Sequence, residues 1–204
     1  MKTSHTLNYP LVAHTLVNFI REEITHAGYS KAVVGLSGGV DSAVAVMLAV
    51  RALGKENVLA LLMPYATSNP QHAQDAMDIV HQLECRYQQI EITPMVNAFC
   101  NSDSSITTLR KGNIMARCRM ITLFDFSAKE RAIVIGTSNK TEILLGYGTL
   151  YGDIACGINP LGDLFKTQIW ELARNLGIPQ HIIDKKPTAD LWQGQTDEDE
   201  FGFS

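Results

Sequence analysis

The tightest constraint on how this chain folds is the passage from Lys31 to Gly54, where an apolar, β-branched run meets a glycine turn and then a helical run. Ala32-Val33-Val34-Gly35-Leu36 has no polar alternation, the pattern of a strand buried on both faces of a parallel sheet, and a strand is expected over Lys31–Leu36. After Ser37-Gly38-Gly39-Val40-Asp41-Ser42, residues Ala43–Leu53 read as a packed helix stopped by Gly54. Adjacent glycines let the backbone turn tightly and approach a ligand, and a new helix presents unpaired N–H groups and its positive dipole end. Such a turn suits phosphate. It has neither the G-x-G-x-x-G of a dinucleotide turn nor the Walker lysine. Backbone groups and the Ser37 and Ser42 hydroxyls would then hold the anion, leaving Asp41 for a magnesium ion. The alternative is a purely structural turn in which Asp41 or Ser42 is the helix N-cap.

Around this unit the chain alternates. A packing helix is expected from about Thr6 to Ala27, a second strand over Asn57–Met63, a helix over Gln71–Leu83 opened by Asn69-Pro70, and a third strand over Tyr87–Ile92. This order predicts an α/β fold, a doubly wound parallel sheet with helices on both faces and ligands at the carboxyl ends of its strands. Asn101–Ser105 reads as a polar turn, followed by one helical region, Ile106–Phe126, interrupted near Gly112. Its second half has little polar face, so it should be buried on several sides or lie in a subunit interface, which makes a homodimer the default. Arg117 and Arg119 stand in that apolar surround and call for anions, or else for helix ends or acidic neighbours. Ala132–Ile135 is the fourth strand, and Gly136-Thr137-Ser138-Asn139 turns from it into a short helix carrying Glu142. A glycine-rich loop follows at 146–157, then Lys166, which opens a helix ending at Leu176 before Gly177. A lysine is electrostatically misplaced at a helix start, which favours a phosphate-facing role.

With 204 residues, 46% of them hydrophobic, the chain is expected to form a single domain over 1–204 with an ample core. A net charge of −4 without a basic run argues against a nucleic-acid partner. Cys85, Cys100, Cys118 and Cys156 form no C-x-x-C pair, the usage of reduced thiols, so neither a disulfide nor a zinc site is expected. No signal pattern and no window long enough for a membrane span is seen, and a cytoplasmic, soluble protein is expected.

The S-G-G-x-D-S loop resembles the pyrophosphate loop of the ATP pyrophosphatase superfamily, whose members transfer AMP and release pyrophosphate. The further segments G-N-I-M-A-R-C-R-M at 112–120, G-T-S-N-K-T-E at 136–142, G-Y-G-T-L-Y-G-D at 146–153, L-F-K-T-Q at 164–168 and P-T-A-D-L-W at 187–192 make nearly the whole chain similar to the ammonia-dependent NAD synthetases. The resemblance implies an adenine nucleotide alpha hydrolase-like, Rossmann-like sheet. It also implies an enzyme that adenylates the nicotinate carboxylate of deamido-NAD with ATP and Mg2+, after which ammonia displaces AMP to give NAD. By position, Gly35, Leu36, Ser37, Gly38, Gly39, Val40, Asp41 and Ser42 would bind ATP together with Thr137, Lys166 and Thr188. Asp41 and Glu142 would hold the metal, Asp41 and Lys166 would be catalytic, and Arg117 would meet deamido-NAD. Some members carry a lysine and an aspartate contacting deamido-NAD where this chain has Leu150 and Gly157, and its T-L-Y-G-D form resembles a branch that includes glutamine-dependent synthetases. None of the four cysteines has a glutaminase-like context, so free ammonia is the expected nitrogen donor. The family normally continues through a further helical segment, which implies a shortened or incompletely represented C-terminus. The competing readings are a nucleotide-binding module without turnover and a superfamily relative with another acceptor.

Overall fold

In the computed structural model, which describes residues 7–186, the sheet is built on β1 (Ala32–Gly35) and β2 (Val58–Leu62), with β3 (Arg86–Gln89) outside β2 and β4 (Ile133–Ile135) on the other side of β1. The order is β3-β2-β1-β4 and every pairing is parallel, with Val33 opposite both Leu59 and Val134. Strand alternation sends Ala32, Val34, Val58, Ala60 and Leu62 into one core and Val33, Leu59 and Leu61 into another. The first core is closed by α1 (Tyr9–His26), α2 (Val40–Leu53) and α7 (Lys166–Leu176), the second by α5 (Thr108–Glu130) through Phe126 and Leu123. Both faces are therefore covered, as the doubly wound reading requires, and the central strands can be apolar throughout.

Helix α2 is buried almost all round because α1 and α7 pack on the side away from the sheet, which explains its Val/Ala composition. It begins at Val40 and not at Ala43. Gly39 is the N-cap, so the reading of Asp41 or Ser42 as cap is overturned: both lie inside the first turn. Asn8 and Asn69 cap α1 and α3 (Pro70–Leu83) by accepting from Leu11 N and Gln71 N. The expected break near Gly112 is absent. Helix α5 runs uninterrupted with Gly112 buried, since one glycine costs about 1 kcal/mol and packing against the sheet outweighs it. A helix not anticipated, α4 (Thr93–Cys100), lies between β3 and the turn before α5, with Pro94 in its first turn. The remaining helices are α6 (Lys140–Leu145) and α8 (Gln180–Ile183).

The chain steps from β1 to β2 to β3 in one direction, then returns through α4 and α5 to set β4 on the far side of β1. That reversal puts the turns leaving β1 and β4 side by side at the carboxyl edge, the switch-point crevice where open α/β sheets bind ligands. Among the described residues no helix is long and apolar enough to cross a membrane.

Candidate active site

The loop after β1 is shaped by its neighbours. Gly38 has φ +80°, and a Cβ there would lie 2.2 Å from the carbonyl oxygen of His72 in the first turn of α3, so only glycine fits. The Ser42 hydroxyl donates to Gly39 O at 2.9 Å and accepts from Ser37 N at 3.2 Å, with the Ser37 hydroxyl 3.1 Å away. These hydroxyls brace the loop itself. The anion-binding groups that remain are the N–H groups at the start of α2.

A compact polar cluster joins this loop to the turn after β4. Asn139 is fully buried and caps α6, its Oδ1 accepting from Glu142 N at 3.1 Å. Its Nδ2 donates to Asp41 Oδ1 at 3.0 Å and to Glu142 Oε1 at 2.8 Å, while Glu142 Oε2 accepts from Asn139 N at 3.2 Å. One amide thus holds two carboxylates together. Lys166, the first residue of α7, forms an ion pair with Asp41 Oδ2 and approaches Glu142 Oε1 at 4.0 Å. Its place at a helix start follows from these partners: the side chains of Asp41 and Lys166 are 16% exposed, and neither charge could be left unpaired there. Two hard oxygen donors on the first turns of separate helices, α2 and α6, fixed before any ligand arrives, suit a magnesium ion that also keeps waters and substrate phosphates.

The cluster forms part of the wall of a cleft of about 430 Å³. Gly35 to Ser42 line it apart from Gly38, together with Thr137, Glu142 and Lys166. Thr188 lies outside the described residues. Arg117 does not line the cleft: it is on the exposed side of α5, where its Nη2 donates to Leu150 O at 3.1 Å. Arg119 does line it, with Nε donating to Met63 O at 3.2 Å. The glycine loop also contributes to the lining, organised by Asp153 accepting from Thr149 N and tied to α5 by Thr149 Oγ1 donating to Asn113 Oδ1, both at 2.8 Å. Gly157 is held against β4: its N donates to Val134 O at 2.8 Å, and a Cβ would be 2.7 Å from Ile133 Cγ2, so a larger residue there requires Ile133 to shift. Leu150 is exposed. From sequence, Asn139 is named only as part of the turn and given no role, although its place three residues before Glu142 is the capping-box spacing.

The sequence model of the NAD synthase family matches residues 12–204. A relative from Chlorobium phaeobacteroides named NH(3)-dependent NAD(+) synthetase is 56% identical over 97% of this chain and 71% of its own length. Among solved structures, NMN synthetase from Francisella tularensis superposes with a TM-score of 0.93 at 40% identity, covering 98% of this chain and 83% of that one. The NH3-dependent NAD synthetase of Campylobacter jejuni gives 0.84 at 43% identity over 88% of this chain and 78% of that one.

Proposed function

The chain belongs to the NAD synthase family, and we infer that it is an ammonia-dependent ligase that amidates deamido-NAD to NAD at the expense of ATP. The observation that carries this reading at the level of residues is the Asp41–Asn139–Glu142–Lys166 cluster, set beside a phosphate-type loop at the sheet's switch point. A nicotinate carboxylate oxygen attacks the α-phosphorus of ATP, and the bond to pyrophosphate breaks. The lone pair of ammonia then attacks the acyl carbon, the bond to AMP breaks, and the nitrogen sheds a proton. No side-chain nucleophile is needed. Loop N–H groups hold the phosphates, Lys166 offsets charge growing on departing pyrophosphate, and positioning supplies most of the remainder.

Asp41 and Glu142 are our proposed magnesium ligands, and magnesium held there would offset negative charge on the phosphates. Gly35 to Ser42 apart from Gly38, together with Thr137 and Lys166, are the proposed ATP contacts. A cleft of about 430 Å³ is at the small end of small-molecule sites, which supports a reading in which a nucleoside triphosphate fills it and deamido-NAD extends over the rim. Arg117 beside Leu150 is the proposed anion partner there. Burial pushes the thiols of Cys85, Cys118 and Cys156 up, which makes them poor nucleophiles and supports free ammonia as donor. Four free thiols support a cytoplasmic setting, and exposed Leu109, Ile121 and Phe124 on α5 support a homodimer.

Purified protein supplied with deamido-NAD, ATP, magnesium and ammonium should form NAD and AMP in equal amounts, and much less NAD when glutamine replaces ammonium. ADP as product would sink the adenylation step. The Francisella tularensis likeness favours a second reading, with nicotinate mononucleotide as acceptor. Faster turnover of that mononucleotide than of deamido-NAD would decide for it.

A further inference from the structure

Lys185, just beyond α8, connects three parts of the molecule. Its Nζ donates to Gly38 O at 2.8 Å and forms an ion pair with Asp75 on α3. Asp75 is 1% exposed, a position a carboxylate occupies only when paired. Its Oδ1 accepts from Gln71 Nε2 at 2.7 Å, and His181 Nε2 stands 3.7 Å from the same oxygen. Burial pushes the Asp75 carboxyl up, but hydrogen bonds from Lys185 and Gln71 outweigh it and hold the group below its usual range. One ligand atom each from Asp75, Asp78 and His181 also lie within 4.8 Å of one another, but the charge of Asp75 is already met by the Lys185 ammonium.

The contact with Gly38 matters because of where that peptide sits. The Gly38 carbonyl and the Gly39 N–H belong to one rigid plane, and Gly39 N donates to Ser37 Oγ at 3.3 Å. Gly39 is also the N-cap of α2. Anchoring the Gly38 oxygen therefore fixes the direction in which α2 starts, and with it the aim of its first N–H groups into the cleft. Where a Cβ would stand, Gly38 is closed off by the His72 carbonyl of α3, so the helix and Lys185 together hold the loop.

We propose that Lys185, seated on buried Asp75, is a positioning residue that presets the loop over 37–42 for the phosphates of ATP. The proposal rests on the ATP reading of the cleft. It is tested by calorimetric ATP binding and thermal unfolding of the wild type, Lys185→Met, Asp75→Asn and the double variant. Lys185→Met should weaken ATP binding about tenfold, the scale of one lost charged hydrogen bond, and should also lower the thermal midpoint by stranding Asp75. Asp75→Asn, which has no place in the cleft lining, should weaken ATP binding in the same direction. In the double variant the midpoint should recover, since no carboxylate is stranded, while ATP binding stays as weak as in Lys185→Met. Wild-type ATP affinity in Lys185→Met, or affinity that recovers with stability in the double variant, overturns the proposal. A wild type that binds no ATP at all sinks the ligase reading beneath it.

Discussion

Asn139 shows how much one side chain can organise. It caps α6 and at the same time spans two carboxylates that would otherwise repel. Loss of a cap costs about 1 kcal/mol, whereas loss of the bridge frees both proposed metal ligands. Asn139→Ala should therefore lower stability modestly but shift the magnesium titration of activity to much higher concentration. An unchanged titration alongside a lowered melting point would leave Asn139 a cap and nothing more. Asp41→Asn and Glu142→Gln should show the same metal dependence, because each removes a charged donor. Gly38→Ala is a different kind of lesion. It combines a left-handed backbone with a 2.2 Å approach to a backbone oxygen that cannot swing aside, and should cost more than about 2 kcal/mol along with ATP binding. Normal denaturant unfolding of this variant would show that α3 yields more readily than its packing indicates.

At the scale of elements, α5 carries most of the connections between fold and site. One face packs on the sheet, Asn113 and Arg117 hold the glycine loop, and Arg119 reaches the end of β2. Its N-terminus is set by the corner at Asp103, whose carboxylate accepts from Ser105 N, Ser105 Oγ and Arg110 Nη2. The Ser105 hydroxyl and amide, then the Arg110 guanidinium, hold the Asp103 carboxyl at about 2. A carboxylate depressed on folding stabilises fully above its ordinary value near 3.9, and that stability is lost as pH falls toward about 2. The wild type should therefore be more stable than Asp103→Asn at neutral pH by a small, solvent-screened margin that closes in acid. Denaturant midpoints at several acidic pH values would measure it, and a margin persisting at the lowest pH would contradict the assignment.

For the whole molecule, the unresolved balance lies on the surface. Ile121 and Phe124 are 52% and 41% exposed on α5, and exposed apolar residues at helical spacing form a patch that a second copy can cover. Ile121→Glu with Phe124→Glu should convert a dimer to monomers in sedimentation without loss of secondary structure, because neither side chain is part of the buried core. A wild type that sediments as a monomer at high concentration would remove the homodimer from the proposal.

Local chemistry was legible in the residues alone. The strand, glycine turn and helix from Lys31 to Gly54, the Asn69 cap and the glycine stops depend on neighbours in sequence, and the alternation of elements implied a parallel sheet covered on both faces. The motifs carry the family chemistry by themselves. Tertiary structure decided what depends on distance and rotation. The meeting of Asp41 with Asn139, Glu142 and Lys166 follows from the reversal of strand order at β1 and β4, which no local pattern encodes. Which arginine lines the cleft was decided by helix rotation: residues two apart point about 200° from each other, so packing α5 on the sheet turns Arg119 toward the ligand edge and Arg117 away. The loop serine hydroxyls engage the turn itself for a local reason, since hydroxyls within a tight turn find backbone partners before a ligand does. The grip of Lys185 on Gly38 joins residues 147 apart in sequence, and only the packing of α3 and α8 beside the loop brings them within reach.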